Sequence, residues 1–131
     1  MTELGPSELG PFELGYPRTE LRRQLVEAVL AGEKTATAGL WSDYEAEGEP
    51  IGEPGDRFAL LGYDDEPVAV VEITEAKLVP AGEIDVAFAR DEGEGFESVD
   101  EWRVAHEDFF KQELTPATLI VAVRFRVVEP I

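Results

Sequence analysis

Lysine is scarce in this chain: three occur among 131 residues, against 29 acidic side chains. One of them, Lys34, lies in Gly32-Glu33-Lys34-Thr35-Ala36-Thr37, three residues before a threonine hydroxyl. An amine beside a hydroxyl is a minimal base–nucleophile pair. The base must come within roughly 3 Å of the proton it takes, and a turn allows that better than an extended strand. Burial would lower the amine's pKa toward a useful range, and nearby acids would raise it. The competing reading is a solvated lysine drawn to the negative end of a helix, and spacing alone favours that one.

Glu92 and Glu94 straddle Gly93. Two carboxylates so close can bind a cation, or one can be held protonated as an acid. In a chain this acidic, a solvated loop is the simpler reading. With one histidine and no cysteine, no metal site and no cofactor are expected. His106 falls on the apolar face of its helix and reads as a hydrogen-bonded core residue. Trp102, Phe109 and Phe110 read as core by the same spacing. Trp41 and Tyr44, in the loop expected after the Lys–Thr segment, are better placed to stack on a base. Gly93 and Gly95 do not make a phosphate cradle, for they lack the preceding strand, the third glycine and the basic residue.

These groups need elements to position them. Leu21, Leu25, Ala28 and Val29 recur at helical spacing, so a helix is expected from Thr19 to Ala31, capped by Thr19 and ended by Gly32. Residues 43–56 carry six acids, with Gly48, Pro50, Gly52, Pro54 and Gly55 among them, and read as a loop. Arg57–Leu61 and Pro67–Ile73 read as a β-hairpin, its second strand running on through Val79. A short helix is expected over Ile84–Arg90. Ser98 and Glu101 form a capping box for a helix reaching about Gln112. Leu119–Val128 reads as a long strand, with Leu119, Val121, Val123, Phe125 and Val127 on one face and Arg124 and Arg126 on the other. A small twisted sheet or barrel with helices packed on it satisfies this order.

The length fits one domain with one core. Residues 1–15 repeat Glu-Leu-Gly at positions 3, 8 and 13; copies so short bury nothing, and residues 1–10 read as a flexible tail before a domain at 11–131. Phe12 and Tyr16 would pin the rest of that segment. No apolar run approaches the roughly 20 residues of a membrane span, and Met1-Thr2-Glu3 opens no signal peptide. No membrane partner and a cytoplasmic location are expected. The formal net charge of −18 repels phosphate polymers. It favours a small neutral substrate over general nucleic-acid binding.

Several segments together resemble one family. Leu25-Val26-x-x-Val29-Leu30-Ala31-Gly32-Glu33-Lys34-Thr35-Ala36-Thr37 resembles the opening motif of bacterial ASCH-domain proteins, a helix followed by Gly-x-Lys-x-x-Thr. Tyr44-x-x-Glu47-Gly48-Glu49-Pro50, Val70-Val71-Glu72-Ile73-Thr74, Phe88-Ala89-x-x-Glu92-Gly93-Glu94-Gly95 and Trp102-Arg103-x-x-His106-x-x-Phe109-Phe110 are similar to one of its bacterial subgroups, over about residues 12–128. The resemblance implies an α+β fold, a small PUA-like, mostly antiparallel β-barrel with peripheral helices. It implies a cleft beside the Lys–Thr segment. Members are linked to RNA, and small bacterial ones resemble amidohydrolases that remove an acyl group from the exocyclic amine of cytidine. By that resemblance Lys34, Thr37 and Glu92 form the catalytic set, with Glu94 the alternative carboxylate. Trp41, Tyr44 and Glu94 would contact a nucleoside or RNA-derived substrate. The amidase members carry an arginine two residues after the threonine, where this chain has Gly39.

Overall fold

A computed structural model describes residues 9–130. The tail expected over residues 1–10 therefore lies outside the described residues except at its end. There, the Gly10 carbonyl already accepts a hydrogen bond from Ala59 N at 2.9 Å. The chain runs β1 (Pro11–Phe12), α1 (Glu20–Leu30), β2 (Ala36–Leu40), α2 (Trp41–Glu47), β3 (Arg57–Leu61) and β4 (Pro67–Pro80). A single 3₁₀ turn (Ala81–Glu83) then leads to α3 (Val86–Asp91), α4 (Val99–Phe110) and β5 (Leu119–Pro130). The strands form one sheet in the order β1-β3-β4-β5-β2, antiparallel except for the β1–β3 pair. It is a small α+β half-barrel with helices around it.

The expected helices and strands stand close to where the sequence put them. The Thr19 and Ser98 hydroxyls accept from the N–H groups of Arg22 and Glu101, at 3.2 and 3.1 Å, and start α1 and α4. Three elements depart from expectation. Trp41–Glu47, placed in a loop by the sequence reading, is the helix α2; its end at Gly48, with φ 67°, is where the glycines and prolines begin. The strands β1 and β2 were not expected. Their ladder partners are β3 and β5 respectively.

Register shifts near Val70/Val71 and between Ile73 and Glu75 bend the β4–β5 pair, as bulges do. The strand β5 is buried on both faces in its first half. Val121, Val123 and Phe125 meet α1 through Leu25, Val26 and Val29. Ile120 and Ala122 meet Phe88, Ala89 and Trp102 from α3 and α4. Leu119, which alternation groups with Val121, Val123 and Phe125, is exposed at the strand's start. The buried Arg22 guanidinium ties α1 to the hairpin turn. It donates to the carbonyls of Leu14, Gly15 and Gly62 and to Asp65, which offsets its desolvation. No helix among the described residues is long and apolar enough to cross a membrane.

Candidate active site

Lys34 is delivered by the end of α1. Gly32 adopts φ 80°, and the N–H groups of Glu33 and Lys34 both return to the Ala28 carbonyl, at 2.9 and 3.1 Å. The chain then enters β2 with the lysine turned inward. It is 2% exposed, so the solvated lysine that spacing favoured is not what forms. Its Nζ donates to the carbonyls of Ala36 (2.8 Å) and Glu92 (3.1 Å). Two positions on the nitrogen are thus fixed. The remaining one holds a third proton when the amine is charged and a lone pair when it is neutral. Burial lowers the Lys34 pKa below the ordinary 10.5, and the charges of Glu92 and Glu94 oppose the shift without cancelling it.

Glu92 is the residue on which α3 ends. The Asp85 side chain caps the helix start through Phe88 N at 2.8 Å. Past its end, Gly93 turns with φ 71° and lies directly against the backbone of Glu33 and Lys34. Thr35 N donates to the Asp91 carbonyl at 2.7 Å. These contacts join the two loops. The Glu92 side chain, 1% exposed, accepts from Trp102 Nε1 through Oε2 and lies 3.2 Å from His106 Nε2 through Oε1. Its Oε1 is 3.9 Å from Lys34 Nζ, and Glu94 Oε2 is 3.8 Å from the same amine. The Glu94 side chain is 28% exposed and is the member of the cluster that reaches solvent. Burial raises the Glu94 pKa; the Lys34 charge opposes this and the Glu92 charge adds to it.

Helix α4 supplies the groups that hold Glu92. Trp102 and His106, four residues apart, share its inner face, and their rings stack at 4.3 Å. Both are buried, as their helical spacing predicts. That spacing does not reveal that their ring nitrogens converge on Glu92. The i,i+4 spacing of two nitrogen-bearing rings was the available signal. Phe109, expected on the same face, is instead exposed and packs its ring toward Tyr16.

Thr37 stands on β2 opposite Val123. By strand alternation it faces away from Ala36 and Ala38, which join the Trp102 side of the core. The hydrogen bonds of the Lys34 amine go to carbonyls and not to the Thr37 hydroxyl. Gly39 shares the Thr37 face, and the Tyr44 ring covers it: a Cβ at Gly39 would lie 2.9 Å from a Tyr44 ring carbon. An arginine at this position would displace that ring. Trp41 and Tyr44, on α2, pack against the α1 side of the core. Burial, with the nearby Glu49 and Glu47, raises the Tyr44 pKa, so the phenol stays a hydrogen-bond donor. Thr37 and Tyr44 therefore lie on one face of β2, and Lys34 and Glu92 meet beside its first residue, Ala36.

Donor atoms of Glu92, Glu94 and His106 lie within 4.8 Å of one another. The Lys34 amine already faces both carboxylates, so a metal cation there would meet a resident ammonium. Five of the arginines have an acidic partner. Arg22 pairs with Asp65, Arg23 with Glu20, Arg57 and Arg126 with Glu72, and Arg124 with Asp91.

The family model for the ASCH domain matches residues 14–129. Among solved structures, a protein of Enterococcus faecalis is 25% identical, with a TM-score of 0.82 over 94% of this chain and 78% of its own. An ASCH domain from Lactobacillus crispatus is 26% identical, with a TM-score of 0.78 over 92% of this chain and 79% of its own. A more distant ASCH protein from Zymomonas mobilis, 14% identical with a TM-score of 0.51 over 82% of this chain and 68% of its own, shares the fold. No curated protein matches the chain. A half-barrel of this topology and a family match over nearly its whole length carry one conclusion: the chain belongs to the ASCH-domain family.

Proposed function

We propose that this protein is an amidohydrolase that removes the acyl group from acylated pyrimidine nucleosides such as acetylcytidine. The observation that carries the reading is a buried amine of lowered pKa, Lys34, set 3.9 Å from a buried carboxylate, Glu92. Neutral Lys34 takes the Thr37 hydroxyl proton as Oγ1 attacks the amide carbonyl. Lys34 passes that proton to Glu92, and Glu92 delivers it to the exocyclic nitrogen as the carbon–nitrogen bond breaks. Water then hydrolyses the threonyl ester, its proton returning to Thr37 through Lys34. Trp41 and Tyr44 contact the base from the Thr37 face, and access to the amine runs past Glu94. The reading assigns the protein to the cytoplasm. Incubation with N-acetylcytidine should release cytidine and acetate, resolved by chromatography. Absence of turnover across acyl lengths would remove the reading.

Thr37 has its own test. Thr37→Ala is expected to lower the rate about 100-fold or more, and Thr37→Ser to retain part of it, because serine keeps the hydroxyl. Full activity in Thr37→Ala would make water the nucleophile.

The RNA-binding alternative gains no support from the charge pattern. Net charge is −18, and the arginines named above are ion-paired. A random single-stranded oligonucleotide is expected to bind weakly at physiological salt. Submicromolar binding with a steep salt dependence, measured by fluorescence anisotropy, would reverse that conclusion.

A further inference from the structure

Both ring nitrogens of the single histidine are engaged. His106 Nδ1 lies 2.8 Å from the Trp102 carbonyl. A carbonyl only accepts, so Nδ1 carries a proton. His106 Nε2 lies 3.2 Å from Glu92 Oε1. If Glu92 is ionised, this oxygen also only accepts, so Nε2 carries a proton too and the ring is an imidazolium. If the ring is neutral, Nε2 is a bare acceptor and the proton must sit on Glu92. In either case one proton occupies the line between Nε2 and Oε1.

The surroundings decide on which side it rests. Trp102 Nε1 donates to the other Glu92 oxygen, an arrangement that suits a carboxylate. The charged groups facing the ring are Glu92 at the end of α3 and Glu94 in the following loop, and Lys34 from the α1–β2 turn faces those two carboxylates. Its other close neighbours, Phe96 and Phe110, are apolar. On its own helix, Arg103 and Glu107 pair with each other at 2.9 Å.

Resting on the amidohydrolase reading, we propose that His106 is a positioning residue. It is held as an imidazolium, and its Nε2–H fixes the Glu92 carboxylate in the orientation that faces Lys34. Burial alone would lower the His106 pKa. The hydrogen bond and charge of Glu92, the Trp102 carbonyl and the Glu94 charge outweigh burial, and the net shift is upward from 6.5. As pH rises through that higher value, Nε2 loses its proton and presents a lone pair to the carboxylate. The carboxylate is then released, and the rate falls on the alkaline side.

Because the chain has one histidine, ¹⁵N-histidine labelling yields one set of ring signals. In the wild-type protein near neutral pH, both ring nitrogens are expected to report as protonated, with a titration midpoint above 6.5. Glu92→Gln should bring that midpoint down. A neutral ring protonated at Nδ1 alone under the same conditions would put the proton on Glu92 and overturn the proposal. This measurement needs no substrate, so it stands or falls separately from the amidohydrolase reading. In a protein that turns over acetylcytidine, His106→Gln can still donate an N–H to Glu92. It is expected to keep KM, lose about tenfold in kcat, and lose the alkaline fall. An unchanged kcat and pH profile would remove the positioning role and leave the catalytic set in place.

Discussion

Lys34→Met is expected to lower acetylcytidine hydrolysis about 100-fold or more while the domain stays folded. Methionine keeps most of the unbranched stem and removes the nitrogen. The carbonyls of Ala36 and Glu92 then lose their donor, a penalty of about 1–3 kcal/mol for each group left buried and unpaired. Against this, the fold no longer holds a buried ammonium. Trp102 and His106 still satisfy the Glu92 carboxyl. Circular dichroism melts should therefore shift modestly, and the loss should appear in kcat/KM. Lys34→Arg separates the roles of charge and base. A guanidinium keeps the positive charge beside Glu92 and Glu94 but cannot give up its proton. It should be as inactive as methionine if Lys34 is the base. The pH dependence follows from the same burial. Since the charged form is disfavoured, the neutral base appears at lower pH than for an ordinary lysine, whose value is 10.5. The wild-type rate should rise with pH through that lowered value, and the rise should vanish in both variants. Either variant keeping a rate within about threefold of wild type would exclude Lys34 as the base.

What could be read from the sequence depended on whether the cause was local. Thr19 and Ser98 cap helices whose apolar residues repeat at helical spacing, and these signals sit within a few residues of the ends they define. The strand β5 was legible from its β-branched run. The strand β2 was not. Ala36-Thr37-Ala38-Gly39-Leu40 has weak intrinsic strand preference, and it is extended because β5 offers a ladder. The helix α2 was absorbed into the glycine- and proline-rich stretch that follows it, although that punctuation starts only at Gly48. The site divides in the same way. Lys34 and Glu92 could be picked by residue type and by resemblance to a family. The burial of Lys34 could not, since the carbonyl that helps bury it comes from a residue 58 positions away. Trp102 and His106 were legible as an inward face. Rings that fill a core and rings that hold a carboxylate leave the same spacing, and the Glu92 contacts alone distinguish them.

Gly93→Ala is expected to destabilise the fold by about 3 kcal/mol or more and to separate Lys34 from Glu92 in whatever still folds. Two causes act together. Gly93 has φ 71°, and a left-handed conformation costs a residue with a Cβ roughly 1–2 kcal/mol. The Cβ would also lie 2.6 Å from the Glu33 carbonyl oxygen, 2.8 Å from the Glu33 carbonyl carbon and 2.8 Å from Lys34 Cα. All three are backbone atoms, so no side-chain rotation relieves the clash. The α1–β2 turn and the end of α3 must move apart. That motion stretches the Thr35–Asp91 hydrogen bond at 2.7 Å and the Lys34–Glu92 carbonyl bond at 3.1 Å. Gly95→Ala is the matched control. Gly95 also has positive φ, 85°, but nothing lies within 4 Å of the position its Cβ would take. It should lose only the conformational term, about 1–2 kcal/mol. Urea denaturation of both variants isolates the steric part as the difference in their unfolding free energies. Domains of this kind are stable by only about 5–15 kcal/mol, so a further loss near 2 kcal/mol is readily resolved. Equal destabilisation of the two variants would mean that the loops do not meet at Gly93. The closeness of Lys34 to Glu92 would then need another cause.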